Sequence, residues 1–184
     1  SGKKYDGENT RSFRIILDHM RASSFMLAES VTPSNTEAGY VLRRLIRRSI
    51  READRLGITD AVLADVAGGF AQVYADHYPH LQEASAKIKD ELTKEEERFK
   101  KTLSQGLKVF EKIVEAKTIS ADDAFTLFTT YGFPVEMTEE LAKERGIALD
   151  MDAVAVKMKE HQETSRAGGA QRFAGGLADH SEQT

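Results

Sequence analysis

Apolar residues recur every three to four positions along most of the chain, which is the spacing of one face of an α-helix. The longest such segment, residues 81–116, repeats its apolar positions with an 11-residue period that keeps one face turned inward along a nearly straight helix. No segment shows the alternation typical of a β-strand. We therefore predict an all-α protein, with helices over residues 10–29, 37–56, 60–78, 81–116, 121–130, 138–146 and 150–166.

The same pattern divides the chain into four parts. Residues 1–9 are polar and are expected to be a loose segment or tag, whereas residues 10–116 should form a helical bundle around one long central helix. Residues 117–166 should form a C-terminal helical subdomain. Residues 167–184 are rich in Gly, Ala and polar residues without periodicity, which predicts a linker. The leading Ser-Gly is typical of a tag, so we expect the chain to be an excised fragment.

The second predicted helix contains six arginines interleaved with aliphatic residues at helical spacing. Aliphatic residues mark one face of this helix, and Arg44, Arg48, Arg51 and Arg55 mark another. Upstream of it, Ser34 and Glu37 have the spacing of a capping box, which predicts that the helix begins near Glu37. No lysine occurs between Lys4 and Lys87. Arginine pairs bidentately with phosphate and stacks on bases, so its exclusive use favours a polyanion-binding face over a merely solvated helix. The six residues are Arg43, Arg44, Arg47, Arg48, Arg51 and Arg55.

Charge is distributed unevenly along the chain. The net charge is −4, yet residues 11–55 contain nine arginines and five acidic residues, whereas residues 56–184 contain 15 basic and 23 acidic ones. This polarity favours one face that binds an anionic partner. The composition, 40% hydrophobic and 30% charged, is that of a soluble globular protein. No apolar run approaches the roughly 18 residues that span a bilayer, and no signal peptide is evident, so we expect a cytoplasmic protein.

Self-contained catalytic and metal sites are poorly supported. The chain has no cysteine, which excludes thiolate ligands and cysteine nucleophiles. His77 and His80 flank a Tyr-Pro break without a third ligand nearby, and Asp18 and His19 are helix neighbours that do not face each other. Neither a P-loop nor a GxGxxG motif is present. We interpret the acidic run at residues 94–98 as a solvated helix face with i,i+4 ion pairs.

These features favour binding to RNA. A-form RNA presents a wide minor groove with 2′-hydroxyl groups and base edges. Asn35 lies in the loop before the arginine-rich helix, and its amide can both donate and accept hydrogen bonds in such a groove. The alternative role for Asn35 is that of an ordinary helix cap, for which Ser34 competes.

Two separated stretches of the chain resemble the alanyl-tRNA synthetases. The first comprises DHMRA at residues 18–22, PSN at 33–35 and GYVLRRLIRR at 39–48, and the second is DAFTLFTTYGFPVEMT at 123–138. The similarity extends over roughly residues 10–175 and implies the helical tRNA-recognition region that follows the class II catalytic domain in this family.

The resemblance implies that the parent enzyme attaches alanine to tRNA at the expense of ATP. The segment FAGGLADH at residues 173–180 is similar to the junction that leads into the editing domain. The sites for ATP, Mg²⁺ and alanine, and the Zn²⁺ site of the editing domain, are therefore expected outside this chain, which should hold no cofactor itself. The expected partners are the acceptor stem of alanine tRNA and the adjacent catalytic and editing domains, with neither membrane nor DNA.

In this family the helical region recognises a G–U wobble pair of the acceptor stem from the minor groove. The asparagine of the PSN motif corresponds to Asn35, and the aspartate of the family's YDTYGFP motif corresponds to Thr129. A hydroxyl binds the guanine amino group more weakly than a carboxylate does, by about 1–2 kcal/mol. Backbone phosphates are expected to contact Arg43, Arg44, Arg47, Arg48 and Arg51. In the alternative interpretation the helices dock the catalytic domain, and the arginines pair with acids such as Glu136, Glu139 and Glu140.

Overall fold

The computed structural model describes the backbone of residues 1–174 and the side chains of residues 1–161 and 163. All regular elements in this part of the chain are α-helices, which confirms the all-α class. In chain order they are α1 (Asn9–Ala28), α2 (Glu37–Arg55), α3 (Leu63–Val73), α4 (Pro79–Glu83), α5 (Ser85–Val114), α6 (Ala121–Tyr131), α7 (Val135–Glu144) and α8 (Met151–Ala174).

The hydrophobic core lies where α1, α2, α3 and α5 pack against one another. The apolar stripe of α5 supplies its length, and the predicted 11-residue period corresponds to buried positions. Burial of large apolar side chains of this kind is the main source of stability in a helical bundle. The buried positions of α5 that follow the period are Ile88, Leu92, Phe99, Leu103, Phe110 and Val114.

The predicted helix over residues 81–116 is divided in the structure. α4 ends at Glu83 and α5 begins at Ser85, because Ala84 has a ψ angle of −1° that interrupts the regular helix. This break allows the short α4 to bury Leu81 completely in the core. No glycine or proline marks the break, so the local sequence gives no signal for it.

The third helix is shorter than predicted at both ends. It begins at Leu63 because a side chain of another helix caps it: the Glu96 carboxylate accepts the backbone N–H groups of Val62 at 3.3 Å and Leu63 at 3.1 Å. The predicted start near residue 60 is therefore wrong. By contrast, α6 begins at its predicted residue, 121, and is capped locally, since Ser120 and Asp123 form a reciprocal capping box.

The C-terminal helix extends beyond its predicted end. α8 continues to Ala174 and so includes residues 167–174, the first part of the predicted linker. The remaining residues, 175–184, lie outside the described part. Within the part that the structure describes, no helix is both long and apolar enough to cross a membrane.

Candidate nucleic-acid interface

The loop between α1 and α2, residues 29–36 and hereafter the Asn35 loop, presents Asn35 to solvent. The capping box predicted for Ser34 does not form, although α2 begins at Glu37 as predicted. Instead the Ser34 hydroxyl donates to the carbonyl of Thr36 at 2.9 Å, and Ser34 N–H donates to the carbonyl of Gly39 at 3.1 Å. A Cβ at Gly39 would overlap Ser34, so glycine permits the loop to lie directly on the first turn of α2.

Arg43 holds the Asn35 loop from one side. Its Nη1 donates to Oδ1 of Asn35, and its Nη2 donates to the carbonyl oxygen of Pro33 at 3.0 Å. The oxygen of the Asn35 amide is thus occupied by an internal contact, whereas its amino group is directed away from that contact. The amide nitrogen can therefore still donate hydrogen bonds.

Thr129 lies on the last turn of α6, where its side chain is exposed. Its hydroxyl donates to the carbonyl of Phe125 at 2.9 Å, so the proton is used within the helix while the oxygen can still accept. Thr129 lies two positions before residues 131–134, hereafter the Gly132 turn. Gly132 ends α6 in the left-handed conformation, with φ of 71°.

The Gly132 turn is anchored on α5. Phe133 is fully buried and meets Phe99 edge-on at a ring-centroid distance of 5.9 Å. The hydroxyl of Thr102 donates to the carbonyl of Tyr131 at 2.8 Å. Gly106 permits this approach, because a Cβ there would overlap the Phe133 ring. These contacts fix the C-terminal end of α6 against α5.

Arg47 connects the Gly132 turn to α2. Its Nη1 donates to the carbonyl of Gly132, and its guanidinium carbon lies 4.9 Å from the centroid of the Phe99 ring. Its Nε and Nη2 lie 2.7 Å and 2.6 Å from the Oε1 atom of Glu95, which is also 3.4 Å from Nε of Arg43. A continuous series of contacts therefore joins the Asn35 loop to the Gly132 turn through α2 and α5.

The prediction of a solvated face at residues 94–98 is wrong at two positions. The side chains of Glu95 and Glu96 are only 3% and 0% exposed. Both positions lie three or four residues from Leu92 and from Phe99, which places them on the buried stripe of α5. That spacing is the sequence signal that could have identified them as buried.

The other arginines of α2 meet acidic side chains of α7. The pairs follow the same order along the two helices: Arg44 with Glu136 at 2.6 Å, Arg48 with Glu140 at 2.8 Å and Arg51 with Glu144 at 2.6 Å. In that order the arginine side chains are 37%, 33% and 7% exposed. The structure thus brings the predicted arginines into an ion-pair network, hereafter the α2–α7 ion pairs, that leaves two of these three accessible.

A cleft of about 860 Å³ lies beside the α2–α7 ion pairs. Burial would raise the pKa of Glu140 in this cleft, but hydrogen bonds from Arg11 and Arg48 outweigh burial, so the pKa is lowered. The pKa of His19 is lowered by burial and by the charge of Arg48. Burial and the charge of Glu136 raise the pKa of Tyr40, whose hydroxyl donates to that carboxylate at 2.9 Å. The cleft is thus lined by charges that already compensate one another.

Metal-binding residues do not cluster in the described part of the chain: no three His, Asp or Glu side chains are placed to hold an ion. His80 lies 3.8 Å from Glu29 instead.

Comparison with known proteins places the chain in an enzyme family. Residues 1–183 match the model of the family described as tRNA synthetases class II (A). The alanine–tRNA ligase of Borreliella afzelii (strain PKo) is 49% identical over 191 residues, which cover 100% of this chain and 32% of the relative. That of Treponema pallidum (strain Nichols) is 42% identical over 193 residues, with coverages of 100% and 32%. The alanine–tRNA ligase of Thermotoga petrophila is 44% identical over 166 residues, with coverages of 90% and 19%.

The chain therefore spans about a third or less of the length of these relatives. The match of the family model extends over nearly all of its residues, including the Asn35 loop, the arginines of α2 and the Gly132 turn. The chain belongs to the family of class II (A) tRNA synthetases.

Proposed function

We propose that this chain is the tRNA-recognition region of an alanine–tRNA ligase, and that it binds the acceptor stem of alanine tRNA in the cytoplasm. The names of the relatives support this, because all three are alanine–tRNA ligases. Since the chain spans about a third or less of their length, we assign the sites for alanine, ATP and Mg²⁺, and the Zn²⁺ site of editing, to other parts of a longer protein. The catalytic and editing domains of that protein are the proposed neighbours.

The observation that most supports this proposal is the common anchorage of the Asn35 loop and the Gly132 turn on α2 and α5. A base pair in the minor groove is distinguished by one or two hydrogen bonds, so the groups that form them must be held rigidly. Asn35 is held by Arg43, and Thr129 lies at the end of a helix whose following turn is held by Arg47. We propose that Asn35 and Thr129 approach the G–U wobble pair from the minor groove.

We divide the five predicted phosphate-binding arginines by their exposure. Arg44 and Arg48 are 37% and 33% exposed, and we propose that they contact backbone phosphates. Arg43, Arg47 and Arg51 are 15%, 10% and 7% exposed and already bind carboxylates or backbone carbonyls, so we assign them a supporting role.

The first test compares two acceptor-stem hairpins that differ only in a G–U or a G–C pair. We expect the chain to bind the G–U hairpin more tightly, with log affinity falling as log salt concentration rises. Asn35→Ala should narrow the difference in affinity between the two hairpins. The slope of log affinity against log salt concentration should not change, because an amide contacts bases and neutralises no phosphate. An unchanged difference would remove Asn35 from the recognition site.

Thr129→Asp tests the second position. A carboxylate forms a charge-assisted hydrogen bond with the guanine amino group, so the preference for G–U should increase by about tenfold. Thr126→Asp is a matched control, because Thr126 is exposed on the same helix. Its hydroxyl also donates within the helix, to the backbone carbonyl of Asp122 at 2.9 Å. An equal change in both variants would show a general effect of charge and would exclude Thr129 from base recognition.

The α2–α7 ion pairs favour a second candidate function, in which the helices dock the catalytic domain and do not bind RNA independently. In that case the arginines of α2 would serve only to join the helices of this region. Undetectable or salt-insensitive binding of the hairpins, by a chain whose fold is intact, would support docking over RNA recognition.

A further inference from the structure

Glu95 is a buried carboxylate that is shared between two arginines of the neighbouring helix. Its side chain is 3% exposed, and its Oε1 accepts a hydrogen bond from Nε of Arg47 at 2.7 Å. The same oxygen forms ion pairs with Nη2 of Arg47 at 2.6 Å and with Nε of Arg43 at 3.4 Å, although that Nε donates no hydrogen bond. A buried carboxylate is costly unless opposite charges compensate it, and here two guanidinium groups do so. The exposed Arg98 lies further away, at 3.7 Å.

Each of these two arginines also binds one half of the proposed interface. Arg43 donates to Asn35 and to the carbonyl of Pro33, and Arg47 donates to the carbonyl of Gly132. A guanidinium group is planar and has its donors in a rigid fork, so a bond on one edge fixes the direction of the opposite edge. The Glu95 carboxylate is hydrogen-bonded to Arg47 and forms an ion pair with Arg43, so its charge helps to set the direction of both guanidinium groups.

We propose that Glu95 is a positioning residue that sets the Asn35 loop and the Gly132 turn together, and thereby the ability to distinguish G–U from G–C. This inference rests on the proposed function. Glu95 does not touch RNA in this arrangement and acts through Arg43 and Arg47. It differs in effect from either arginine, because loss of its charge loosens both halves at once.

Glu96 provides a matched control on the same helix. It is 0% exposed and also binds a cation, Lys100 Nζ, at 2.9 Å. Its other contacts are the backbone N–H groups of Val62 and Leu63, at the start of α3. Glu95→Gln and Glu96→Gln thus remove the same charge from equally buried positions, but only the former weakens the hold on Arg43 and Arg47. Glutamine retains an oxygen acceptor, so both variants are better tolerated than the corresponding alanines.

The first experiment measures hydrogen exchange of backbone amides in the 184-residue chain. Ser34 N–H donates to Gly39 and Phe133 N–H donates to Leu127, so these two amides report on the two halves separately. Glu95→Gln should accelerate exchange at both amides by about threefold to tenfold, through local opening. Glu96→Gln should accelerate Leu63 instead. Acceleration of only one of the two reporters by Glu95→Gln, or equal acceleration by Glu96→Gln, would overturn the proposal.

The second experiment measures binding of the G–U and G–C hairpins. Glu95→Gln should narrow the difference between them by about threefold or more, whereas Glu96→Gln should leave it unchanged. In an Asn35→Ala background the effect of Glu95→Gln should be smaller, because two residues that act through one contact are not additive. A chain that discriminates equally well with Glu95→Gln would overturn the positioning role and leave the proposed function intact. Equal binding of both hairpins by the unmodified chain would refute the proposed function, and hydrogen exchange would still decide whether Glu95 couples the two halves.

Discussion

Gly132 combines a left-handed backbone with a crowded environment. Its φ is 71°, and a Cβ at this position would overlap the guanidinium group of Arg47. We expect Gly132→Ala to lower the free energy of unfolding by about 2–4 kcal/mol, as the sum of backbone strain and a displaced arginine. Urea unfolding measures this loss.

Gly57 is the matched control for that substitution. It has φ of 72°, yet an added Cβ would meet nothing within 4 Å. Gly57→Ala should therefore cost only the strain of the left-handed conformation, about 1–2 kcal/mol. Equal losses at the two glycines would mean that the contact of Arg47 with the turn contributes nothing to stability.

Arg47 is the arginine whose shape matters most, because it contacts Glu95, the carbonyl of Gly132 and the face of Phe99 simultaneously. Lysine has the charge but neither the planar fork nor the stacking surface. Arg47→Lys is expected to lower the free energy of unfolding by about 2–3 kcal/mol. Arg44→Lys, at a pair with Glu136 that is partly exposed on both sides, should change it by only about 0.5 kcal/mol. Denaturant titration of both variants checks this, and a similar loss for each would contradict the special role of Arg47.

Helix α5 illustrates which features the sequence can predict and which depend on tertiary structure. Its helical state and its buried apolar positions follow from periodicity, which is a local property. The break at Ala84 does not, and neither do the partners that compensate the charges of the buried Glu95 and Glu96. The partners of the two glutamates are arginines of α2 and backbone amides at the start of α3, more than 30 residues away in sequence. A local pattern contains no information about such partners.

The contact between α2 and α7 should depend on pH through Glu140. The folded-state pKa of Glu140 is lowered, chiefly by hydrogen bonds from Arg11 and Arg48 that outweigh the opposing effect of burial. A lowered pKa means that the unfolded chain binds more protons, so this stabilisation is complete above the ordinary glutamate value and is lost as pH falls toward the folded value. We expect the unmodified chain to lose stability below about pH 4.5 more steeply than Glu140→Gln does. Urea unfolding at a series of pH values tests this, and parallel curves would contradict it.

The charge asymmetry of the chain is only partly retained in three dimensions. Residues 11–55 are rich in arginine, but folding brings α7 against α2 and neutralises part of that charge. The exposure of Asn35 and Thr129 agrees with their predicted place in loops or at helix ends. The alternative interpretation named Glu136 and Glu140 as acidic partners, and the structure shows both in pairs with α2. Which arginine meets which acid, and how exposed each arginine remains, depends on packing between segments 92 or 93 residues apart.

The α2–α7 ion pairs should therefore compete with RNA for the same arginines. Removing the charge of Glu136 and Glu140 together would leave Arg44 and Arg48 without these carboxylate partners while the arginines themselves stay in place. The variant with both Glu136→Gln and Glu140→Gln is expected to bind the acceptor hairpin about tenfold more tightly at low salt. The slope of log affinity against log salt concentration should become steeper by up to about two, because two more arginines can bind phosphates. Electrophoretic or fluorescence titration over a range of salt concentrations measures both quantities.

A control variant separates this local effect from the change in net charge. Glu111 pairs with Arg145, and Asp90 pairs with Lys94 at 2.5 Å, so neither pair includes an arginine of α2. Glu111→Gln combined with Asp90→Asn changes the net charge by the same amount without freeing an arginine of α2, so it should leave the slope nearly unchanged. If both double variants strengthened binding equally, long-range attraction by the whole molecule would account for it. If only the Glu136 and Glu140 variant did so, phosphates must reach the arginine face of α2, and docking alone could not explain its charge.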